Sequence, residues 1–143
     1  MTKIDHRMIF LLVCCFMGVI SVCDPHVLGD QNTFLARFVS SEFLNFMGVM
    51  VTITLASTAN IHIELKRKEE ENKEEIFPKT KAAVRKSAVS LLWSLLLSVI
   101  LVVSKPLLPQ VDSYMAFANS VALAILLWGI LIIYDITKLA FRL

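Results

Sequence analysis

Charge is scarce over most of this chain. Asp, Glu, Lys and Arg make up 18% of its residues, against about 25% in an ordinary soluble domain. Of the 14 basic and 12 acidic residues, 14 fall between Glu64 and Lys86, and long stretches elsewhere carry none. A net charge of +2 supplies no basic surface of the kind that binds nucleic acid, and no direct nucleic-acid binding is expected. Glycine is also rare, at four residues, and none builds a phosphate-cradling loop. Cys14, Cys15 and Cys23 are odd in number and lack metal-ligand spacing. They read as small hydrophobes. His6, His26 and His62 are far apart, and no nucleophile elbow is present. With no acid, base, nucleophile or metal cluster in view, the chain is expected not to be an enzyme, with no catalytic, metal or cofactor-binding residues and no cofactor.

What it has instead is apolar length. The sequence is 57% apolar over 143 residues. A hydrocarbon core of about 30 Å takes about 20 apolar residues as a helix. The chain therefore suits a single transmembrane domain over 1–143, an all-α integral membrane protein with four transmembrane helices, and leaves no room for a separate soluble domain. The spans are expected at about 6–23, 43–63, 88–104 and 115–135, with a charged cytoplasmic helical hairpin at 64–87.

The first apolar run, Met8 to Cys23, follows Lys3 and Arg7 and could be a signal peptide. Ser21-Val22-Cys23 is a poor cleavage site, however, and Asp5 dilutes the basic head, so the run reads as a retained span. Gly29-Asp30-Gln31-Asn32 is a turn cluster, and Thr33 suits the N-cap of a helix. Phe34, Leu35, Phe38, Val39 and Phe43 then recur at helical spacing, as an interfacial stretch would.

The second span differs from the others. Asn45, Gly48, Thr52, Ala56 and Ala59 share one stripe at about 100° per residue, with Asn60 beside it. Small and weakly polar side chains let helices approach closely and hydrogen-bond across the contact, so this helix is expected to face protein. It runs on into His62–Glu75 without Gly or Pro. There Glu64–Lys68, Lys66–Glu70, Arg67–Glu71 and Glu69–Lys73 are oppositely charged i,i+4 pairs. The pattern stops at Phe77-Pro78, and the basic run Lys79–Lys86 leads back to the membrane.

The third span carries a serine stripe, Ser90, Ser94 and Ser98 with Ser87 above, and Lys105 lies on the same line. The fourth has Asn119 and Ser120 in one half, with Trp128 and Tyr134 in the other. Lys105 and Asp135 stand at span ends, where snorkelling explains them. The cores of all four spans lack ionisable residues, which argues against a proton-coupled transporter.

Orientation follows from counting Lys and Arg beside the spans. Twelve fall on the side of the termini and the hairpin, and only Arg37 and Lys105 on the other. Both termini are therefore expected in the cytoplasm, N-in and C-in, with the protein in the inner (cytoplasmic) membrane. Helix packing, or pore lining after oligomerisation, is the expected use of Asn45, Gly48, Thr52, Ala56, Asn60, Ser90, Ser94, Ser98 and Asn119. The hairpin is either a solvated linker or a docking surface, through Lys66, Arg67, Lys68, Glu70, Glu71 and Lys73, and its mixed charge suits a cytosolic protein partner.

The plan is a short first span, a polar second helix running from Asn45-Phe46-Met47-Gly48 to Ala56-Ser57-Thr58-Ala59-Asn60-Ile61-His62-Ile63-Glu64, a charged hairpin and two more spans. It resembles small prokaryotic four-helix inner-membrane proteins of phage conflict, such as the membrane subunit of the Kiwa anti-phage system and the lambdoid phage membrane exclusion protein. The likeness is one of layout along the whole chain and transfers no residue roles. It implies an oligomeric membrane sensor, anchor or pore component in anti-phage defence, working with a cytosolic effector. An immunity-type protein that blocks a pore-forming toxin in the bilayer, or a small-solute channel subunit, are the alternatives.

Overall fold

The computed structural model describes residues 6–72 and 78–141, and every regular element among them is helical. In chain order these are α1 (His6–Cys23), α2 (Pro25–Leu28), α3 (Thr33–Arg37), α4 (Phe43–Asn72), α5 (Pro78–Ser104) and α6 (Asp112–Ala140). Three helical stretches are long and apolar enough to cross a membrane: Pro25–Glu70, which contains most of α4, Thr80–Leu107 and Asp112–Ala140. The apolar part of α1, Met8–Cys23, is shorter; the whole helix, at 18 residues, is about 27 Å long.

Local chemistry explains the breaks. Pro25 opens α2 at the first helical position, where its missing N–H costs nothing. Gly29 follows in extended backbone, its N–H donating to the Pro25 carbonyl at 2.7 Å. A Cβ at Gly29 would lie 2.8 Å from that same oxygen, so the tight approach needs glycine. The N-cap of α3 is Asn32 and not Thr33, which is the first helical residue. Asn32 Oδ1 accepts from the Phe34 and Leu35 N–H groups at 3.2 and 3.4 Å, while its Nδ2 donates to the Val27 carbonyl at 3.1 Å. An amide side chain can cap α3 and hold α2 at once, which a threonine hydroxyl at the next position cannot.

Between α3 and α4 the backbone leaves the helical region at Val39 (φ −80°, ψ 57°) and Ser40 (φ −142°, ψ −141°). The turn drives Val39 and Phe43 inward, where they are 1% and 0% exposed, while Phe34 stays outside. The stretch expected to lie along the interface is thus partly folded into the bundle.

α4 and α5 pack side by side, α6 packs against both, and α1 packs on α6. Bulk comes mainly from α4 and α5: Phe43, Met47, Leu65 and Leu91 are fully buried. α6 supplies room, through buried Ala116, Ala118 and Ala122 and through Gly129. A Cβ at Gly129 would come within 3.1 Å of Met50 Cε, which marks how closely α6 approaches α4. The outward faces carry exposed apolar side chains, among them Leu12, Phe16, Val49, Ile53, Trp93 and Val103. Such a surface suits hydrocarbon and not water.

Replacing Gly129 by Leu should overpack the α4–α6 contact and cost about 1–3 kcal/mol, read as a lower thermal midpoint of the detergent-solubilised protein. Gly18→Leu is the control, because a Cβ added at this exposed glycine meets nothing within 4 Å.

Candidate functional site

The hydroxyls along α4, α5 and α6, exposed and buried alike, are mostly satisfied by their own helices. Thr52 donates to the Gly48 carbonyl (2.8 Å), Thr54 to Met50 (2.7 Å) and Ser57 to Ile53 (3.0 Å). Ser94 donates to Ser90 (3.0 Å), Ser98 to Ser94 (2.8 Å) and Ser120 to Ala116 (2.7 Å). Back-bonding of this kind consumes the donor locally and leaves the residue acting as a small side chain. A hydroxyl bond between helices is made at Ser90, whose Oγ accepts from Trp128 Nε1 at 3.2 Å. Phe10 meets the Trp128 ring edge-on at 5.1 Å, so α1, α5 and α6 converge there.

The residues picked out from the sequence divide sharply. Ser94, Ser98 and Asn119 are buried, and Ser90 is half-buried. Asn45, Thr52, Ala56 and Asn60 are exposed, and a Cβ at half-buried Gly48 would meet nothing within 4 Å. Within one chain the α4 stripe therefore faces outward. The inward face of α4 is Phe43, Met47, Met50, Thr54, Thr58 and Ile61. Phe43, Met47 and Met50 fill the space beside Ala122 and Gly129, while Ala116 makes room for Leu28 and Leu35, so the close-approach surface lies on α6.

On either side of residues 73–77, the described ends of α4 and α5 pack against each other. Leu65 of α4 and Val84 of α5 are 0% and 2% exposed and belong to one cluster with Leu91 and Ile136. Glu69, also buried, accepts from the Lys81 ammonium across the hairpin. Lys66, Arg67 and Glu70 are exposed and Lys68 is half-buried, and Arg67 meets Glu64 at 3.2 Å. The side chain of Glu71 and all of Lys73 lie outside the described residues, as do the expected pairs Arg67–Glu71 and Glu69–Lys73.

At the other end sits a buried polar clasp. Lys105, in the single turn after α5, is 8% exposed, and its Nζ lies 2.8 Å from Asp30 Oδ1. Asn119 Nδ2 donates to the same Asp30 oxygen at 3.1 Å and to the Leu28 carbonyl at 2.8 Å. Asn119 Oδ1 is buried with no hydrogen-bond partner. Around the rim, Gln31 Nε2 donates to Asp112 Oδ2 at 3.1 Å, and His26 Nδ1 lies 3.4 Å from that oxygen. Asp30 and Lys105 also line a cavity of about 340 Å³ with Ser40, Ser41 and Gln110. Lys105 is therefore held by a carboxylate and does not snorkel to open water. Its partner stands 75 residues away in the turn cluster, and the one hint in the sequence was a basic residue on the side otherwise almost bare of them.

The clasp joins a cation, a carboxylate and an amide, which ties connections together and offers no nucleophile with its base. Among the described residues no group of three or more His, Cys, Asp or Glu could hold a metal ion. No family model matches the chain, and no match was found among the curated proteins or the solved structures.

Asp30→Asn should strand a buried ammonium and cost about 1.5–3 kcal/mol. Lys105→Met should cost less, because Asp30 still reaches water with its side chain 34% exposed. Thermal unfolding of the two single variants and the double variant forms the cycle, and the pair should show coupling, with the double variant recovering part of the Asp30→Asn loss.

Proposed function

We propose that this chain is a four-span protein of the cytoplasmic membrane, with both termini inside, that assembles into a homo-oligomer and anchors a cytosolic effector on its charged arm. The layout that it shares with inner-membrane proteins of phage conflict makes anti-phage sensing the role in which this anchor works. The observation that carries the reading is α4 itself. Its outward stripe of Asn45, Thr52, Ala56 and Asn60 has no use within one subunit, and the same helix continues into exposed Lys66, Arg67 and Glu70. One helix thus offers a lateral face for a second copy and an aqueous face for a partner. Small and polar faces favour association in lipid, where apolar faces gain nothing by meeting.

A water path through a single subunit is disfavoured, because Ser94, Ser98 and Asn119 sit in a packed interior. If the oligomer conducts, the α4 stripe is the surface that lines the path. The immunity-type reading uses the same stripe to grip a foreign membrane protein and has no need of the arm's charge.

The mass of the complex extracted in mild detergent, with co-purifying proteins identified, tests the proposal. A homo-oligomer with a stoichiometric cytosolic protein supports it, and a bare monomer removes it. Thr52→Leu combined with Gly48→Leu should dissociate the oligomer, and Lys66→Glu, Arg67→Glu and Lys68→Glu together should release the partner while insertion is kept. Charge reversal is the sharper probe of the arm, because deleting it would also remove Leu65 and Val84 from the core. Protection against a pore-forming toxin that survives the charge reversal would favour the immunity-type reading.

A further inference from the structure

Beside the arm, α4 and α5 part to leave a groove of about 730 Å³, within the range of about 300–1,000 Å³ that small-molecule sites occupy. One end is apolar, with Leu55 and Ala59 of α4 facing Ala88 of α5, and the other end reaches His62, Lys81 and Arg85. The groove spans the level at which the apolar run of α4 ends at Ile63-Glu64 and the basic run of α5 ends at Lys86-Ser87. On the orientation proposed above, that level is the cytoplasmic membrane interface.

Arg85 and Thr58 of this groove have no partner among the described residues. The Lys81 ammonium is engaged by Glu69, whereas Arg85, exposed at the rim, has no acidic partner among the described residues. Thr58 lines the groove and is 8% exposed, and its hydroxyl oxygen is buried with no hydrogen-bond partner. Thr54, one turn earlier, donates to the Met50 carbonyl, so the unspent hydroxyl at Thr58 stands apart from its neighbour.

We infer that this groove binds an anionic phospholipid of the cytoplasmic leaflet, with an acyl chain along Leu55, Ala59 and Ala88, the phosphate on Arg85, and the Thr58 hydroxyl donating to an ester oxygen. An unpaired guanidinium at an interface attracts acidic headgroups, and an apolar trough that opens towards hydrocarbon is filled by the solvent already there. The inference rests on the proposed orientation. In its place the bound lipid becomes part of the floor on which the arm stands.

The test uses the full chain in mild detergent, exposed to palmitoyl-oleoyl phosphatidylglycerol or to the matching phosphatidylcholine, with bound lipid counted by native mass spectrometry. Phosphatidylglycerol should be retained over phosphatidylcholine by about fivefold, the effect of one interfacial basic residue. Arg85→Gln should abolish that preference, and Lys138→Gln, outside the groove, should leave it. Thr58→Val should weaken retention of phosphatidylglycerol without lowering the thermal midpoint, since it removes a hydroxyl that bonds to nothing in the protein. Equal retention of the two lipids, or a preference that survives Arg85→Gln, overturns the site. Orientation is checked separately with Arg85→Cys in a Cys14→Ala, Cys15→Ala, Cys23→Ala background. Labelling by an impermeant maleimide only after the cells are permeabilised supports the cytoplasmic leaflet. Labelling of intact cells, with lipid selectivity kept in detergent, overturns the leaflet and the proposed topology but not the groove.

Discussion

The close approach that Ala116, Ala118, Ala122 and Gly129 allow around α6 is the contact on which the other packing depends. In water a helix is driven to its neighbours by the burial of apolar surface, but in lipid the tails are as apolar as leucine and that drive is absent. What remains is dispersion, which falls away when a gap opens. A helix with small side chains on its inner face lets its neighbours come within reach, and α6 is the helix against which α1, α2, α4 and α5 all pack. The large residues of α4, Phe43 and Met47, then fill the volume so created. Methionine suits the place, because its flexible end settles into whatever space the opposing glycine leaves.

The polar groups follow from the same constraint. A hydroxyl within hydrocarbon must bond to something, and the nearest acceptor is its own helix's carbonyl one turn back. Serine and threonine thereby become spacers, and the interior of the subunit stays packed. Apart from Thr58, whose hydroxyl is left over beside the groove, the groups that escape this rule are those with two functions to satisfy or with charge: Asn119, Asp30 and Lys105. They gather where the helices end and the chain turns.

Much of the fold was legible in the sequence. Apolar run length gives α5 and α6, the unbroken run of helix formers after His62 gives the continuation of α4 to Asn72, and Asn119 is buried. The outward turn of the α4 stripe was not legible, for a physical reason. A stripe of small residues marks a surface made for close approach, but nothing in its spacing says whether the approaching helix belongs to the same chain. The competing pattern, bulky Phe43 and Met47 on the opposite face, became decisive only once α6 had shown its alanines. The partner of Lys105 was hidden as well. Asp30 sits in a cluster of turn formers that reads as solvent-facing, and pairing it with a residue 75 positions away takes knowledge of how the connections fold back.

The clasp also bears on how the protein is made. Its three groups come from three separate stretches of chain, around residues 30, 105 and 119, so it cannot close until the turn before α6 and the first half of α6 have been synthesised and brought beside α2. Before that moment Asp30 and Lys105 are charges without partners, best kept in water. The clasp is in that sense a late contact, closed only when α6 begins to take its place. A nascent chain with a span inserted in the wrong direction would carry these charges to opposite sides of the bilayer and leave the clasp open.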